Sequence, residues 1–195
     1  LLIGSRYFMG EFYRNPKAYF KRKYKTRVLV YAGGTNNQKI LEQFATIASQ
    51  VYFRNKNLSI DFLFSTELVK SRHLMRLVHQ SNGKIRGFTP EFSNILRNYD
   101  FLLGGGGTTL WEREYYNIPG AVISIAENQV PILSSMGSRG SIVYLGHFSS
   151  LKKSRAIHQT VQALKKLPTM RYKSRQLDLV DGFGLNRVTE EIVTL

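Results

Sequence analysis

With 195 residues, 43% of them hydrophobic and 12% aromatic, the chain is long and apolar enough for one domain with its own core, and it is not a disordered segment. No stretch approaches the roughly eighteen apolar residues of a membrane span, the opening "LLIG" is too short for a signal-peptide core, and zero cysteines exclude disulfides and thiolate metal sites, which fits a cytoplasmic setting. The net charge of +15 is concentrated at the two ends: residues 1–30 carry 8 Lys/Arg against 1 acid, residues 31–150 carry 11 against 8, and residues 151–195 carry 9 against 4.

The chain begins at Leu1 and reads as a piece of something longer. Its densest basic block, "NPKAYFKRKYKTR" (15–27), reads as a solvated linker, with peripheral contact to an anionic membrane surface or to nucleic acid as the alternative. No signature of a nucleic-acid module is present, so no specific nucleic-acid partner is expected. Residues 1–26 are therefore taken as a basic lead-in or interdomain linker and 27–195 as the folded domain. "RVLVYAGG" (27–34) predicts a buried strand ending in a tight turn. Residues 38–49 place Ile40, Leu41, Phe44, Ile47 and Ala48 on one helical face. A strand (58–64), a helix (67–80), a strand (84–88) and a helix (90–98) opened by Pro90 follow. Then come strand 100–103, the glycines 104–107, helix 109–116, strand 120–125, a short helix near 130–136 and strand 141–145. A helix at 151–165 and a last one after "DGFG" (181–184) end the chain.

This alternation predicts an α/β domain, a Rossmann-like parallel sheet with helices on both faces. In such sheets ligands sit at the carboxyl ends of the strands, where glycine turns feed helix N-termini suited to phosphate. Two turns have that form, "AGGTNN" (32–37) and "GGGGTT" (104–109). Neither is a standard fingerprint, since no Lys follows the glycines and Thr109 stands where the dinucleotide motif wants Gly or Ala. Glu112 has two readings. Thr109-x-x-Glu112 fits a capping box, as does Thr35-x-x-Gln38; alternatively the Glu112 carboxylate accepts both hydroxyls of a ribose.

"GGGGTTLWEREYYNIPGAVISIAENQ" (104–129) resembles the nucleotide-sugar signature of the PseG-type hydrolases of pseudaminic acid synthesis. "LVYAGGTNN" is similar to that family's first turn, with Asn36 where Asp is common, "LVDGFGLNRV" (179–188) to its closing segment, and "LLIGSRYFMGEF" (1–12) to its stretch leading into the C-terminal domain. More broadly the pattern looks like the C-terminal half of a GT-B glycosyltransferase. The resemblance implies a UDP-sugar at the strand ends. Gly33, Gly34, Thr35, Gly106, Gly107, Thr108 and Thr109 would face the diphosphate, Glu112 the ribose, Gly87 and Phe88 the uracil, and Asn128 and Gln129 the sugar. Trp111 and Tyr115 read as core, and Asp181 with Gly182 as a structural turn.

The family's catalytic His lies in a Gly-x-Gly-His-x-x-Arg loop of its N-terminal half, and this sequence has no such loop. His73, His79, His147 and His158 match no family motif, and His73 and His79 read as surface or packing residues of a helix. No catalytic residue, metal site or cofactor is expected in this chain. The reading that follows is the UDP-sugar-binding C-terminal domain of a PseG-like hydrolase that releases UDP from a 2,4-diacetamido-2,4,6-trideoxy-hexose. Its partner would be an N-terminal GT-B half in cis or in trans. The alternatives are the nucleotide-binding half of a GT-B glycosyltransferase that uses a UDP-sugar donor, and a basic module that binds nucleic acid or a membrane surface.

Overall fold

The computed structural model describes residues 4–10, 25–35, 37–64, 71–87 and 92–194. Most of the basic block 15–27, the predicted helix start at 67–70 and Phe88 lie outside these residues. Six strands form one sheet: β1 (Thr26–Tyr31), β2 (Leu58–Leu63), β3 (Lys84–Arg86), β4 (Phe101–Gly105), β5 (Gly120–Ser124) and β6 (Ile142–His147). The order is β3-β2-β1-β4-β5-β6, and every pairing is parallel. The helices are α1 (Gln38–Arg54), α2 (Arg72–Gln80), α3 (Phe92–Leu96), α4 (Thr109–Tyr115), α5 (Val130–Arg139), α6 (Lys153–Lys165), α7 (Leu167–Leu177) and α8 (Gly184–Val193). None is long and apolar enough to cross a membrane.

The central strands β1, β4 and β5 are near-continuous apolar or glycine runs because both of their faces are covered. Val28 and Val30 of β1, Phe101 and Leu103 of β4, and Ala121 and Ile123 of β5 pack under α1, α2, α6 and α7. Their neighbours in sequence point the other way: Leu29, Tyr31 and Leu102 pack with Phe92 and Leu96 of α3, and Val122 with Leu110 of α4 and Leu133 of α5. The order reverses direction between β1 and β4, which start at the centre and build outward to opposite edges. All carboxyl ends lie on one edge, and the two glycine turns leave it from these adjacent strands.

Two local features differ from expectation. The first two glycines of "GGGGTT" belong to β4, where Gly104 pairs with Tyr31 and Val122. Residues 167–177, where the sequence marked no element, form helix α7. Its second residue is Pro168, a position where the absent N–H costs nothing and the fixed φ favours a new turn. At the chain's end, Asp181 Oδ1 accepts the Phe183 N–H at 3.0 Å and pairs with Arg187, whose Nη1 also donates to the Arg6 carbonyl at 2.9 Å. Gly184 lies so close to the Phe8 backbone that a Cβ would overlap it. Asp181 thus holds α8 and the segment around residues 5–8 together, and the Arg187 guanidinium beside it lowers its carboxyl to about 2.

Candidate functional site

The glycines of the carboxyl edge divide into two kinds. A Cβ on Gly104 would come within 2.7 Å of the Tyr31 carbonyl, one on Gly105 within 2.8 Å of Ile125 Cδ1, and one on Gly106 would overlap Leu133. These three are small because strands and helix α5 crowd against them. Gly33, Gly34 and Gly107 meet nothing within 4 Å. Gly33 needs its φ of 79°, which other residues adopt at a cost. Gly34 and Gly107 have neither a positive φ nor a packing neighbour, and both are exposed. Bare backbone there leaves the approach to β1 and β4 open.

The helix starts are not capped as the sequence suggested. At α1, Asn37 is the cap, its Oδ1 accepting from Lys39 N at 3.0 Å and Ile40 N at 3.4 Å. Thr35 Oγ1 accepts from Asn37 N at 3.1 Å, and Gln38 donates to Glu42 and Ser71. Both box residues of Thr35-x-x-Gln38 are therefore engaged elsewhere, and two of the α1 amides are already taken. At α4 the cap position falls on Thr108, in helical backbone and with no side-chain capping bond. Thr109 is buried, and Thr108 is exposed.

With no capping box formed, Glu112 is free for other contacts. It lies half-buried, and its Oε1 accepts from Ser93 Oγ at 3.1 Å. Burial raises its pKa above the ordinary value, and the Ser93 hydrogen bond opposes that rise. The Tyr31 hydroxyl titrates higher than usual, first from burial and then from the nearby Glu112 charge. Tyr31 ends β1, and its ring stacks at a tilt on Phe92, 4.7 Å between centroids. Glu112, Ser93 and Tyr31 thus form a polar notch beside the open turns. No sequence signal pointed to Ser93, which is 19 residues from Glu112.

The next two residues of α4 behave differently. Arg113 is fully buried; Nη1 donates to the Ile118 carbonyl at 2.6 Å and Nη2 to Glu114. Glu114 in turn accepts from Ser174 Oγ of α7 at 2.6 Å.

After β5, residues 127–129 form a 3-10 turn with Asn128 exposed. Gln129 Oε1 accepts from Ile125 N at 2.8 Å, which ties down the turn through the amide oxygen, and its amide nitrogen is the group's donor. Glu127 stands 3.6 Å from Nε2 of His147, the last residue of β6. Gly87 is exposed just beyond β3. His73 and His79 are exposed on α2. Trp111 and Tyr115 are partly buried against the core. Concavities of about 450 Å³ on α8 and about 550 Å³ between α5, α6 and α7 lie away from the glycine turns.

No family model matches the chain. Over 174 residues it is 22% identical to the spore coat polysaccharide biosynthesis protein SpsG of Bacillus subtilis, an alignment covering 88% of this chain and 51% of that protein. The chain therefore spans about half the length of this curated relative. Among solved structures it superimposes on MurG of Acinetobacter baumannii with a TM-score of 0.71 at 15% identity, over 90% of this chain and 51% of that one. WaaG, a glycosyltransferase involved in lipopolysaccharide biosynthesis, gives a TM-score of 0.67 at 14% identity, over 88% and 48%. MnaA of S. aureus, solved with UDP, gives 0.61 at 16%, over 86% and 45%. Six parallel strands, helices on both faces and these half-length superpositions give one conclusion: the chain has the fold of the C-terminal half of a GT-B glycosyltransferase.

Proposed function

We infer that this chain is the nucleoside-diphosphate-sugar-binding half of a GT-B-type glycosyltransferase of polysaccharide biosynthesis, with UDP as the nucleotide. The observation that carries this reading is the pair of open turns, Gly33–Gly34 and Gly107–Thr108, on adjacent strands where the sheet order reverses, with the half-buried Glu112 beside them. The diphosphate lies against Gly33, Gly34, Thr35, Gly106, Gly107 and the Thr108 and Thr109 segment, where backbone N–H groups and the exposed Thr108 hydroxyl donate. Glu112 accepts the two ribose hydroxyls, Ser93 fixing one of its oxygens. The uracil sits near Gly87 and Phe88, and Asn128 and Gln129 turn amides toward the sugar. The solved UDP complex of MnaA supports the choice of nucleotide.

The reacting groups come from a separate N-terminal half, in cis or in trans, and this chain alone turns over no UDP-sugar. It works in the cytoplasm, with residues 15–27 available for a membrane surface. Calorimetry with UDP, CDP and ADP tests the reading. UDP binds with micromolar to millimolar affinity and tighter than the other two; equal or absent binding of all three overturns it. A second reading, PseG-type hydrolysis of UDP-2,4-diacetamido-2,4,6-trideoxy-hexose, draws on the Ala-Glu-Asn-Gln segment at 126–129. Products decide between them in an assay with the N-terminal half present: free sugar supports hydrolysis, a glycoside supports transfer.

A further inference from the structure

The end of β6 meets the turn after β5 at the sugar side of this edge. Ser124 pairs with His147 in register, after an irregularity at Val122/Ile123 and with Gly146 at a φ of 110°. The His147 ring is held by the next turn. Its Nδ1 accepts the Ser149 N–H at 3.3 Å and lies 2.8 Å from Ser149 Oγ. A ring nitrogen that accepts a backbone N–H carries no proton, so the hydroxyl donates to it as well and the proton of the neutral ring sits on Nε2. That Nε2–H is shielded from solvent and has no hydrogen-bond partner among the described residues. It faces Glu127 Oε1 at 3.6 Å, beyond hydrogen-bond reach. The donor is fixed, whereas the Glu127 side chain is 86% exposed and free to move. A hydroxyl accepts and donates through one oxygen, so once the Glu127 side chain swings aside to admit it, it can join the two.

We propose that His147 is a specificity-determining residue, which with Glu127 reads one free hydroxyl of the bound hexose: Nε2–H donates to the hydroxyl oxygen, and the hydroxyl donates to Glu127. This rests on the nucleotide-sugar reading above and names what the sugar must offer. The nucleotide itself does not touch the pair.

The test is calorimetry of the whole chain with UDP, UDP-glucose, UDP-galactose, UDP-N-acetylglucosamine and UDP-N-acetylgalactosamine. At least one UDP-hexose binds tighter than UDP. His147→Ala and Glu127→Gln each reduce that advantage by about three- to tenfold, the worth of one net hydrogen bond, and leave the UDP Kd unchanged. Should His147→Ala disturb the fold and lose UDP as well, Ser149→Ala, which only frees the ring, still binds UDP and discriminates less among the hexoses. If UDP binds and no hexose adds affinity, or the variants keep the full advantage, the inference is overturned while the nucleotide reading stands. If UDP does not bind the unaltered chain, both fall.

Discussion

Glu112 and Glu114 lie two residues apart on one short helix, and the protein treats them in opposite ways. Glu114 is 4% exposed, paired with the buried Arg113 and hydrogen-bonded by Ser174, so its charge is matched on the spot. Glu112 is half-buried with the Ser93 hydroxyl as its hydrogen-bond partner among the described residues, and burial pushes its pKa up, so its charge is disfavoured in the folded chain. A charge matched internally serves the fold; a charge left short of partners beside open backbone suits a ligand that brings the missing donors.

The largest effect comes from breaking the matched side. Arg113→Met leaves Glu114 buried and uncompensated, and urea unfolding will show a loss of about 3–5 kcal/mol. Because Ser174 is part of the network, α7 should loosen first, visible as faster hydrogen exchange over Leu167–Leu177. A loss below about 1 kcal/mol would mean the pair is not structural.

The two kinds of glycine sharpen the same contrast. Gly106→Ala drives a methyl into Leu133 and destabilises by about 1–3 kcal/mol. Gly107→Ala meets nothing, so stability stays within about 0.5 kcal/mol while UDP affinity drops. Equal stability losses at the two positions would erase the distinction drawn between them.

On the unmatched side, Glu112→Gln weakens UDP binding more than tenfold, about 1.4 kcal/mol or more. Its effect on stability has the opposite sign from that of Arg113→Met. A carboxyl whose folded pKa is raised above 4.5 stabilises the fold when protonated, and that contribution is lost as pH rises through the folded pKa. The always-neutral Gln therefore melts higher than wild type at pH 7, and the gap closes as pH falls below 4.5. A variant that binds UDP unchanged and melts lower would return Glu112 to a structural role.

The smallest effect is at Asp181, another internally matched carboxylate but near the surface. Its pKa is lowered from 3.8 to about 2, so its contribution is present above 3.8 and lost as pH falls through about 2. Asp181→Asn flattens the acid limb of the stability curve in that window and leaves UDP binding alone.

Much of this was legible in the sequence. Short runs bounded by turn residues marked all six strands, and helical apolar spacing or helix-start residues marked seven of the eight helices among the described residues, because these signals lie within a few positions of one another. The eleven-residue helix α7 was missed because Pro168 reads as a stop when it follows a helix and as a start when it opens one, and only packing decides which. Local spacing misled at the capping boxes as well. Thr109-x-x-Glu112 has the spacing of a capping box, yet the cap position falls on Thr108 and Ser93 from α3 takes the carboxylate, and Asn37 displaces Thr35 at α1.

By itself, then, the sequence determined the alternation of strands and helices, the parallel sheet and the edge on which two glycine turns emerge, since these follow from residue types a few positions apart. Tertiary structure alone decided what each of those residues faces. Four consecutive glycines look alike in a sequence, but Tyr31, Ile125 and Leu133 fill the space beside three of them and leave Gly107 open. Three consecutive charged residues, Glu112, Arg113 and Glu114, look alike too, until Ser93 and Ser174, from helices far along the chain, draw one carboxylate to the site and the other into the core. Contacts across such distances depend on how layers pack, and no local spacing encodes them.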